Sequence, residues 1–294
     1  MRLSVIIPTY KRPGYLAMAL RGLATQVRPA DQVILGIRES DDETAGFLKT
    51  SVPPGLAVET VTVREGGVLA SMSAAAARAD GDVICLLDDD AEPKPDWLAR
   101  IEEHFLNDQQ LGVLGGRDLL QDHPEMRQTE PTTECVGLFT IYGRILGNHH
   151  RGAGKFRLVD LVKGCNAAVR GSLLHKIGFI GGLRGRGAQV HWELALCLDA
   201  AKQGYTVAYD PALQVIHHIA PRHDDDQIHR GGFSAEGLYD MVWNEHFVVG
   251  TRARRGRRAA HLIWALAVGS LTAPGLLQFF RLCLRSDPDR SERL

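Results

Sequence analysis

Three consecutive carboxylates, Asp88, Asp89 and Asp90, follow the apolar run 83–87. The aliphatic run, bounded by turn-forming residues, predicts a buried strand. The carboxyl ends of strands are where open α/β sheets bind ligands. Because three like charges repel one another, a divalent cation would relieve the repulsion, and oxygen ligands favour Mg²⁺ or Mn²⁺ shared with substrate phosphates. The alternative is a solvated turn with an acidic helix N-cap before residues 93–97.

Alternating strand and helix patterns must position these carboxylates. The order β-α-β-α-β-α-β predicts a mostly parallel, doubly wound α/β sheet flanked by helices. The predicted strands are 3–7, 32–37, 56–63 and 83–87, and the helices between them are 14–26, a short one after Asp41, and 68–79. Beyond them we expect helices at 97–105, 171–177 and 190–203, and strands at 112–115 and 206–209. Residues 118–160 show no clear pattern and read as a variable excursion over the sheet, with a return strand near 158–162.

The C-terminal part changes character. A helix is predicted over 234–250, and five arginines then precede the apolar stretch 259–280, which Pro274-Gly275 interrupts. A helix lying in a membrane interface, with arginines on lipid phosphates, fits this pattern best. A membrane-spanning helix and ordinary packing against the domain stay open as alternatives. The arginines are Arg252, Arg254, Arg255, Arg257 and Arg258.

Composition bounds the class of protein. The 294 residues suit one large α/β domain, or one with an appendage, and 45% apolar residues suffice for a substantial core. The net charge of −1 gives no global field favouring nucleic acid. Five cysteines without CxxC spacing, with Cys85 and Cys197 in apolar contexts, indicate a reducing compartment. The chain enters a strand directly after Met1, so no secretory signal is expected.

Several segments, taken in order, resemble the family-2 glycosyltransferases, which have the GT-A fold. They are Ser4 to Arg12 (SVIIPTYKR), Gly81 to Asp90 (GDVICLLDDD) with Pro93 to Leu98, Lys163 to Arg170 (KGCNAAVR), Trp192-Glu193 with the helix to Tyr205, and Tyr209-Asp210-Pro211 followed by Val215-Ile216-His217. The resemblance covers roughly residues 3 to 220, and its order and spacing make it specific.

The resemblance implies a site for a nucleotide-sugar and a divalent cation. Asp88, Asp90 and His217 would hold Mn²⁺ or Mg²⁺, with His218 competing for the histidine role; the alternative for His217 is a partly buried residue at a strand end. The resemblance places the nucleotide against the first loop, the end of the second strand and the acidic motif. These nucleotide-binding candidates are Pro8, Thr9, Tyr10, Arg12, Arg38, Asp88 and Asp89.

Glu193 is the candidate catalytic base, because a sugar hydroxyl needs a positioned carboxylate to remove its proton. Its alternative role is that of a first-turn glutamate favoured by the helix dipole. Donor or acceptor contacts are expected from Asn166, Arg170, His191 and Trp192, although Asn166 could equally satisfy loop backbone groups. The resemblance implies direct attack with inversion at the anomeric carbon.

Two departures from the family pattern stand out. The second strand ends in Ile37-Arg38-Glu39-Ser40-Asp41-Asp42, where many members carry an acidic pair that contacts the base. Arg38 could stack on the base or meet a phosphate, and Asp41 or Asp42 could take the acidic role. In place of a Glu-Asp pair the chain has Trp192-Glu193, which leaves one carboxylate for the base.

Together these observations predict a metal-dependent, inverting glycosyltransferase acting on a glycan or lipid-linked acceptor. Residues 1–230 would form the GT-A domain, with a nucleotide-binding half (1–117) and an acceptor half (118–230). Residues 231–294 would form a C-terminal helical segment that contacts a membrane surface through 252–285, at the cytoplasmic face of the cell membrane. No nucleic-acid partner is expected. The alternative function is a catalytically silent scaffold that binds a nucleotide-sugar within a membrane glycan-assembly complex.

Overall fold

Strands and helices alternate through the first part of the chain, as predicted. The computed structural model describes residues 1–121, 131–223, 234–270 and 273–284. The first elements are β1 (Leu3–Thr9), α1 (Pro13–Ala24), β2 (Gln32–Arg38), α2 (Asp42–Thr50), β3 (Val58–Val63), α3 (Val68–Ala76) and β4 (Val83–Leu87).

The second part contains shorter strands and two long ones. Its elements are β5 (Ala91–Pro93), α4 (Trp97–Asn107), β6 (Leu111–Leu120), β7 (Leu138–Phe139), β8 (Ile145–Leu146), a 3₁₀ turn (His149–Arg151), β9 (Arg157–Leu158), β10 (Asn166–Arg170), α5 (Gly171–Ile177), α6 (Trp192–Lys202) and β11 (Thr206–His217). The strands β6 and β11 are longer than predicted because they pair with each other along their polar ends as well as their apolar ones.

The described residues form a nine-stranded main sheet. Its order is β3-β2-β1-β4-β10-β6-β11-β5, and β9 pairs with β11 off this path. The neighbours β3, β2, β1 and β4 run parallel, and so do β6 and β11, whereas β10 is antiparallel to both β4 and β6. The predicted mostly parallel sheet flanked by helices is confirmed, with β10 inserted against the common direction.

Both faces of the sheet are buried, which explains the continuous apolar runs. Ile84 and Leu86 face a core shared with α3, α5 and α6, while Val83, Cys85 and Leu87 face a second core shared with α1 and α4. A strand covered on both faces has no polar side, so β4 reads as an unbroken aliphatic stretch. The carboxylates Asp88 to Asp90 therefore begin where this apolar strand ends, and Asp89 and Asp90 are themselves buried.

Three helices follow the sheet: α7 (Ala235–Arg252), α8 (Arg255–Ala267) and α9 (Leu276–Leu284). Helix α7 buries Val248 and Val249 in the core that also contains α6. The expected domain boundary at 230–231 lies outside the described residues. Across the part of the chain that the structure describes, none of the helices combines the length and apolar character needed to cross a bilayer.

Candidate active site

The loops after β1, β2 and β4 end at one edge of the sheet and surround an open cleft. Its cavity volume is about 100 Å³. Seven of the predicted nucleotide or metal residues line it together: Pro8, Thr9, Tyr10, Arg12, Arg38, Asp88 and Asp90. The parallel arrangement of β1, β2 and β4 brings these sequence-distant residues to one place.

Arg12 holds the acidic motif together. Its Nη2 lies 2.6 Å from Asp89 Oδ1, and its Nη1 lies 3.3 Å from Asp90 Oδ2. Asp89 is 0% exposed. Burial raises the pKa of Asp89 to about 7, although the Arg12 guanidinium opposes that shift. Asp89 is thus a buried partner of Arg12 beneath the cleft, rather than a residue of its wall.

Arg38 contacts the first loop through Tyr10. Its guanidinium carbon is 4.0 Å from the centroid of the Tyr10 ring, a cation–π contact. Its Nη2 also donates a hydrogen bond to Arg186 O at 2.8 Å. The two predicted nucleotide residues therefore form one platform at the wall of the cleft.

Asp41, considered above as a substitute for the acidic pair, ties two elements together. Its Oδ2 accepts a hydrogen bond from Lys11 N at 2.7 Å, and its Oδ1 accepts one from Thr44 N at 3.1 Å. The second bond caps helix α2. Lys11 has a left-handed backbone (φ 54°), and Asp41 thereby fixes the turn that presents Tyr10 and Arg12. Its neighbour Asp42 is exposed.

Of the two adjacent histidines at the end of β11, only His217 faces the acidic motif. Its Nε2 lies 3.3 Å from Asp90 Oδ1, and its Nδ1 lies 3.4 Å from Asp118 Oδ2. His218 points to the opposite face, with its Nε2 3.3 Å from Glu92 Oε2. Successive residues of a strand point to opposite faces of the sheet, so two adjacent histidines cannot both face Asp90.

The carboxylate of Asp118 pairs with the ammonium of Lys163, whose Nζ also lies 3.5 Å from His217 Nδ1. Burial alone would raise the pKa of Asp118, but Lys163 and His217 hold it below its usual value. Burial disfavours the charged form of His217, yet Cys165, Asp90 and Asp118 raise its pKa well above its usual range. Asp118, Lys163 and Cys165 were not among the predicted site residues.

The donor set fits a divalent cation. One ligand atom each from Asp88, Cys165 and His217 lies within 4.8 Å of the others. Burial, with the nearby charge of Asp90, raises the pKa of Asp88. A cation would remove that repulsion, which is the chemistry expected of carboxylate and imidazole ligands. Asp90 is differently engaged, since its Oδ2 accepts a hydrogen bond from Ala220 N at 2.9 Å in addition to its contact with Arg12.

Glu193 lies in the first turn of α6 and is partly buried. Its Oε1 accepts a long hydrogen bond of 3.4 Å from Gly164 N. Burial raises the pKa of Glu193 to about 7, and the negative charge of Asp88 adds to the effect. A carboxylate with such a pKa is suited to exchange a proton near neutral pH.

The remaining donor or acceptor candidates are placed differently. His191 precedes α6 in a left-handed conformation (φ 76°), and Trp192 is buried with its ring edge against Phe179. The amide of Asn166 bonds within the protein: it accepts from Trp97 Nε1 at 2.8 Å and donates to Leu213 O at 3.0 Å and to Arg117 O at 3.2 Å. This is the structural alternative considered for Asn166.

Arg170 is not brought to the cleft. It pairs in register with Val83 at the start of β4, the end of that strand away from Asp88. Its side chain donates to the backbone carbonyls of Leu111 and Asp108 at 3.1 and 3.0 Å.

Sequence reasoning missed much of the far wall of the cleft. Gly67 has φ 114°, and a Cβ at this position would clash with Gln189, which accepts a hydrogen bond from Leu69 N at 3.2 Å. Through Gln189, this contact holds the segment that follows the glycine-rich loop of residues 181–187 against the start of α3. The only sequence signal was that cluster of glycines. The additional lining residues are Gly67, Val68, Ser71, Gly187, Ala188, Arg222 and His223.

Comparison with known families identifies one match over the greater part of the chain. A family model described as glycosyl transferase family 2 matches residues 4–178. No curated protein sequence gives a significant match.

Many solved structures share the fold. TarS residues 1–349 from S. aureus, in complex with UDP-GlcNAc, has a TM-score of 0.63 at 14% identity, covering 100% of this chain and 78% of that one. The mannosyltransferase PcManGT from Pyrobaculum calidifontis, in complex with GDP-Man and Mn²⁺, has a TM-score of 0.55 at 19% identity, covering 99% and 83%. GalNAc-T7 with UDP, GalNAc and Mn²⁺ has a TM-score of 0.64 at 13% identity, covering 87% and 49%. At such identities the likeness establishes the fold.

Proposed function

The chain belongs to glycosyl transferase family 2, and we propose that it moves a sugar from a nucleotide-sugar donor to a glycan or lipid-linked acceptor in a metal-dependent, inverting reaction. One observation carries the proposal: Asp88 lines the strand-end cleft while its charge also acts on Glu193. A place for a diphosphate therefore lies within electrostatic range of a candidate base, Glu193, which is not itself among the residues that line the described cleft.

The nucleotide would occupy the wall formed by the first loop. Tyr10 offers an aromatic face, and Arg12, Arg38 and Arg222 bring cations to the cleft. Positive charge at this wall suits a diphosphate. Three structural neighbours were crystallised with UDP or GDP compounds, which supports a nucleotide-sugar but leaves the base and the sugar open.

Asp88, Asp90 and His217 would hold the divalent cation, Mn²⁺ or Mg²⁺. When bound, the cation would neutralise negative charge on the leaving diphosphate. Arg12 binds Asp89 and Asp90 and so keeps the motif folded despite its repulsion. The Mn²⁺ in the PcManGT and GalNAc-T7 structures supports a divalent ion here.

Glu193 would accept the proton of the acceptor hydroxyl. Attack on the face opposite the diphosphate inverts the anomeric carbon, and no covalent enzyme intermediate is needed. The half of the domain after residue 118 would contribute acceptor contacts, with His191 adjacent to the base. Trp192 would support Glu193 by packing against Gly164, the residue whose N–H bonds the carboxylate.

The C-terminal helices would contact a membrane surface. Arg255, Ala259, Leu262, Ile263 and Leu266 are all exposed, and their spacing puts them on one face of α8. Helix α9 adds further exposed apolar residues: Leu276, Leu277, Phe279, Phe280 and Leu284. An exposed apolar face with a cation at its end suits an anionic lipid surface, and a peripheral site on the inner face of the cell membrane is the location we propose.

A thermal-shift panel followed by a turnover assay tests the function. UDP-, GDP- and dTDP-sugars are added with and without Mn²⁺, and the stabilising donor is then incubated with and without simple glycan acceptors. We expect one nucleotide class to raise the unfolding temperature in a metal-dependent way, with release of nucleoside diphosphate. Binding without any hydrolysis or transfer would instead favour the silent scaffold. No stabilisation by any nucleotide would contradict both.

A further inference from the structure

A buried thiol lies beside the acidic motif. Cys165 is 2% exposed, and its sulfur, a carboxylate oxygen of Asp88 and a ring nitrogen of His217 lie within 4.8 Å of one another. We propose that Cys165 binds the active-site cation together with Asp88 and His217, an inference that rests on the metal dependence proposed above.

Strand pairing places the thiol there. In the antiparallel pair of β10 and β4, Asn166 lies opposite Leu87 and Ala167 lies opposite Leu86. Residues 164–165 form the turn that leads into β10, and Asp88 directly follows Leu87 at the end of β4. The pairing of these two strands in the centre of the sheet therefore brings the thiol and the carboxylate close together.

The spacing suits a shared ion. Metal–ligand bonds of about 2.0 to 2.3 Å place neighbouring ligand atoms about 3 to 4 Å apart. The observed upper limit of 4.8 Å needs only a small side-chain adjustment to reach that range. Cys165 and His217 (5% exposed) are buried, whereas Asp88 lines the cleft, so substrate oxygens would approach from the Asp88 side.

Nearby charges permit a cation at this position. Lys163 is the adjacent ammonium, and Asp118 pairs with it directly. Asp118 Oδ2 lies 3.4 Å from His217 Nδ1 and can orient the ring by hydrogen bonding, as carboxylates commonly do behind metal-bound histidines; the other ring nitrogen, Nε2, lies on the side of Asp90, 3.3 Å from its Oδ1. The cluster thus combines two acids near the ion, a thiol and a neutralised lysine.

The chemistry of sulfur gives the site a selectivity that a purely carboxylate site lacks. On binding, the Cys165 thiol releases its proton to solvent and the thiolate donates to the ion. A thiolate favours Zn²⁺, Co²⁺, Cd²⁺ and, less strongly, Mn²⁺ over Mg²⁺. The proposed site would therefore prefer the softer ions.

Titration of the full chain with Co²⁺, in the absence of nucleotide and acceptor, tests the proposal. We expect a thiolate-to-cobalt charge-transfer absorption in the unmodified protein, lost in Cys165→Ser and retained in Cys85→Ala, a change at another buried cysteine. The Cys165→Ser variant should bind Co²⁺ about tenfold or more weakly, the scale seen even for lost supporting contacts, with Mg²⁺ affinity little changed. A cadmium-NMR shift typical of sulfur ligation, measured on the unmodified chain, gives the same answer without relying on a variant.

A band of equal intensity in Cys165→Ser would overturn the proposal, as would Co²⁺ binding with neither the band nor the cadmium shift. Because these experiments use neither nucleotide nor acceptor, their outcomes do not test the transferase activity. Mg²⁺-supported transfer without sulfur ligation would reject the Cys165 role alone, whereas sulfur-bound Co²⁺ without transfer would reject the proposed function alone.

Discussion

Asp88 and Asp90 both line the cleft, but of the three carboxylates of the motif it is Asp88 that also belongs to the cluster of possible cation ligands with Cys165 and His217. Asp89 is enclosed with Arg12, and Asp90 is held by Arg12 and the backbone of Ala220. Among three identical side chains, the fold thus assigns different surroundings to each.

For Asp88→Asn we expect loss of transfer and loss of the Mn²⁺-dependent part of the thermal stabilisation by donor. The amide cannot supply the negative charge that the cation requires. Asp82→Asn is the matched control, since Asp82 precedes the same strand at its other end and bonds Arg2 N at 2.7 Å. Equal transfer rates in Asp88→Asn and the unmodified chain would contradict the metal assignment.

Glu193→Gln should retain nucleotide-sugar binding and lower transfer by a factor of about 10² or more, the usual scale for lost general-base assistance. Initial rates under saturating donor and acceptor measure the effect. Asp199→Asn, a carboxylate change on the same helix, should keep its rate. If Glu193→Gln transfers normally, the base lies elsewhere and His191 is the next candidate.

The pH dependence should carry the signature of a buried acid. The pKa of Glu193 is raised to about 7, so the basic form increases, and transfer with it, as pH rises through about 7. Stability responds in the opposite direction: between the ordinary glutamate pKa and about 7 the folded state binds the proton more tightly than the unfolded state does. The contribution of Glu193 to stability is therefore full at low pH and is lost as pH rises through that window.

Transfer rates measured from about pH 5.5 to about pH 8.5 bracket the Glu193 pKa of about 7 and should increase with pH across it. In Glu193→Gln this increase should disappear. If the transfer rate of Glu193→Gln depends on pH as that of the unmodified chain does, another group is responsible for the pH dependence.

The sequence predicted the roles of residues that directly follow a strand. It did not predict roles that depend on burial or on the strand register. Asp88, Asp90, Tyr10, Arg12 and Arg38 all line the cleft, whereas the complete burial of Asp89 with Arg12 was not predicted. To choose between His217 and His218, one must know which face of β11 is turned toward the acidic motif, and the sequence of two adjacent histidines does not reveal this. The inward use of Asn166 likewise depends on Trp97 and Leu213, both far away in sequence.

At the scale of elements, Asp41 links the start of α2 to the first loop. Asp41→Ala removes acceptors for both Lys11 N and Thr44 N, and should lower the free energy of unfolding by about 1 to 2 kcal/mol, the scale of a lost N-cap. Because the same change loosens the turn that presents Tyr10 and Arg12, nucleotide affinity should also fall.

Urea unfolding and a nucleotide titration measure the two effects. Asp42→Ala alters an exposed acid in the next position and should change neither substantially. If Asp41→Ala binds the nucleotide as tightly as the unmodified chain does, the first loop keeps its conformation without the hydrogen bonds of Asp41.

Elements with local periodicity were predicted well, and elements defined by distant pairing were not. The alternation from β1 to β4 and helix α5 follow from spacing alone. The short strand β5 forms only because β11 pairs with it, and β11 extends to His217 through a register irregularity after Asp210. Sequence windows contain no information about such partners, so the predicted strands at 112–115 and 206–209 were too short.

At the scale of the whole molecule, the proposed membrane surface is attached to the catalytic core through α7, whose Val248 and Val249 are buried with α6. A change confined to α8 can thus test the surface without disturbing the cleft. Helix α8 itself keeps His261 buried, where its Nε2 lies 2.8 Å from His246 Nδ1.

The double substitution Leu262→Asp and Leu266→Asp should weaken binding to phosphatidylglycerol-containing vesicles by about 100-fold or more, since each inserted leucine contributes roughly 1.5 to 3 kcal/mol. Vesicle cosedimentation measures binding, and donor thermal shift should be unchanged. Val27→Asp, at an exposed apolar residue elsewhere, should bind as the unmodified chain does.

Binding that survives the double substitution would reject this surface as the lipid contact. A protein that never binds vesicles but self-associates, with the association lost in the double variant, would assign the apolar face to a second copy.

The antiparallel placement of β10 between β4 and β6 limits how this protein can evolve. Since side chains alternate with a period of two, inserting or deleting a single amino acid between Gly164 and Gly171 would turn every following side chain of the strand to the opposite layer. Homologues should consequently vary in length before Lys163 or after Ile177, while this central ribbon keeps a constant number of residues.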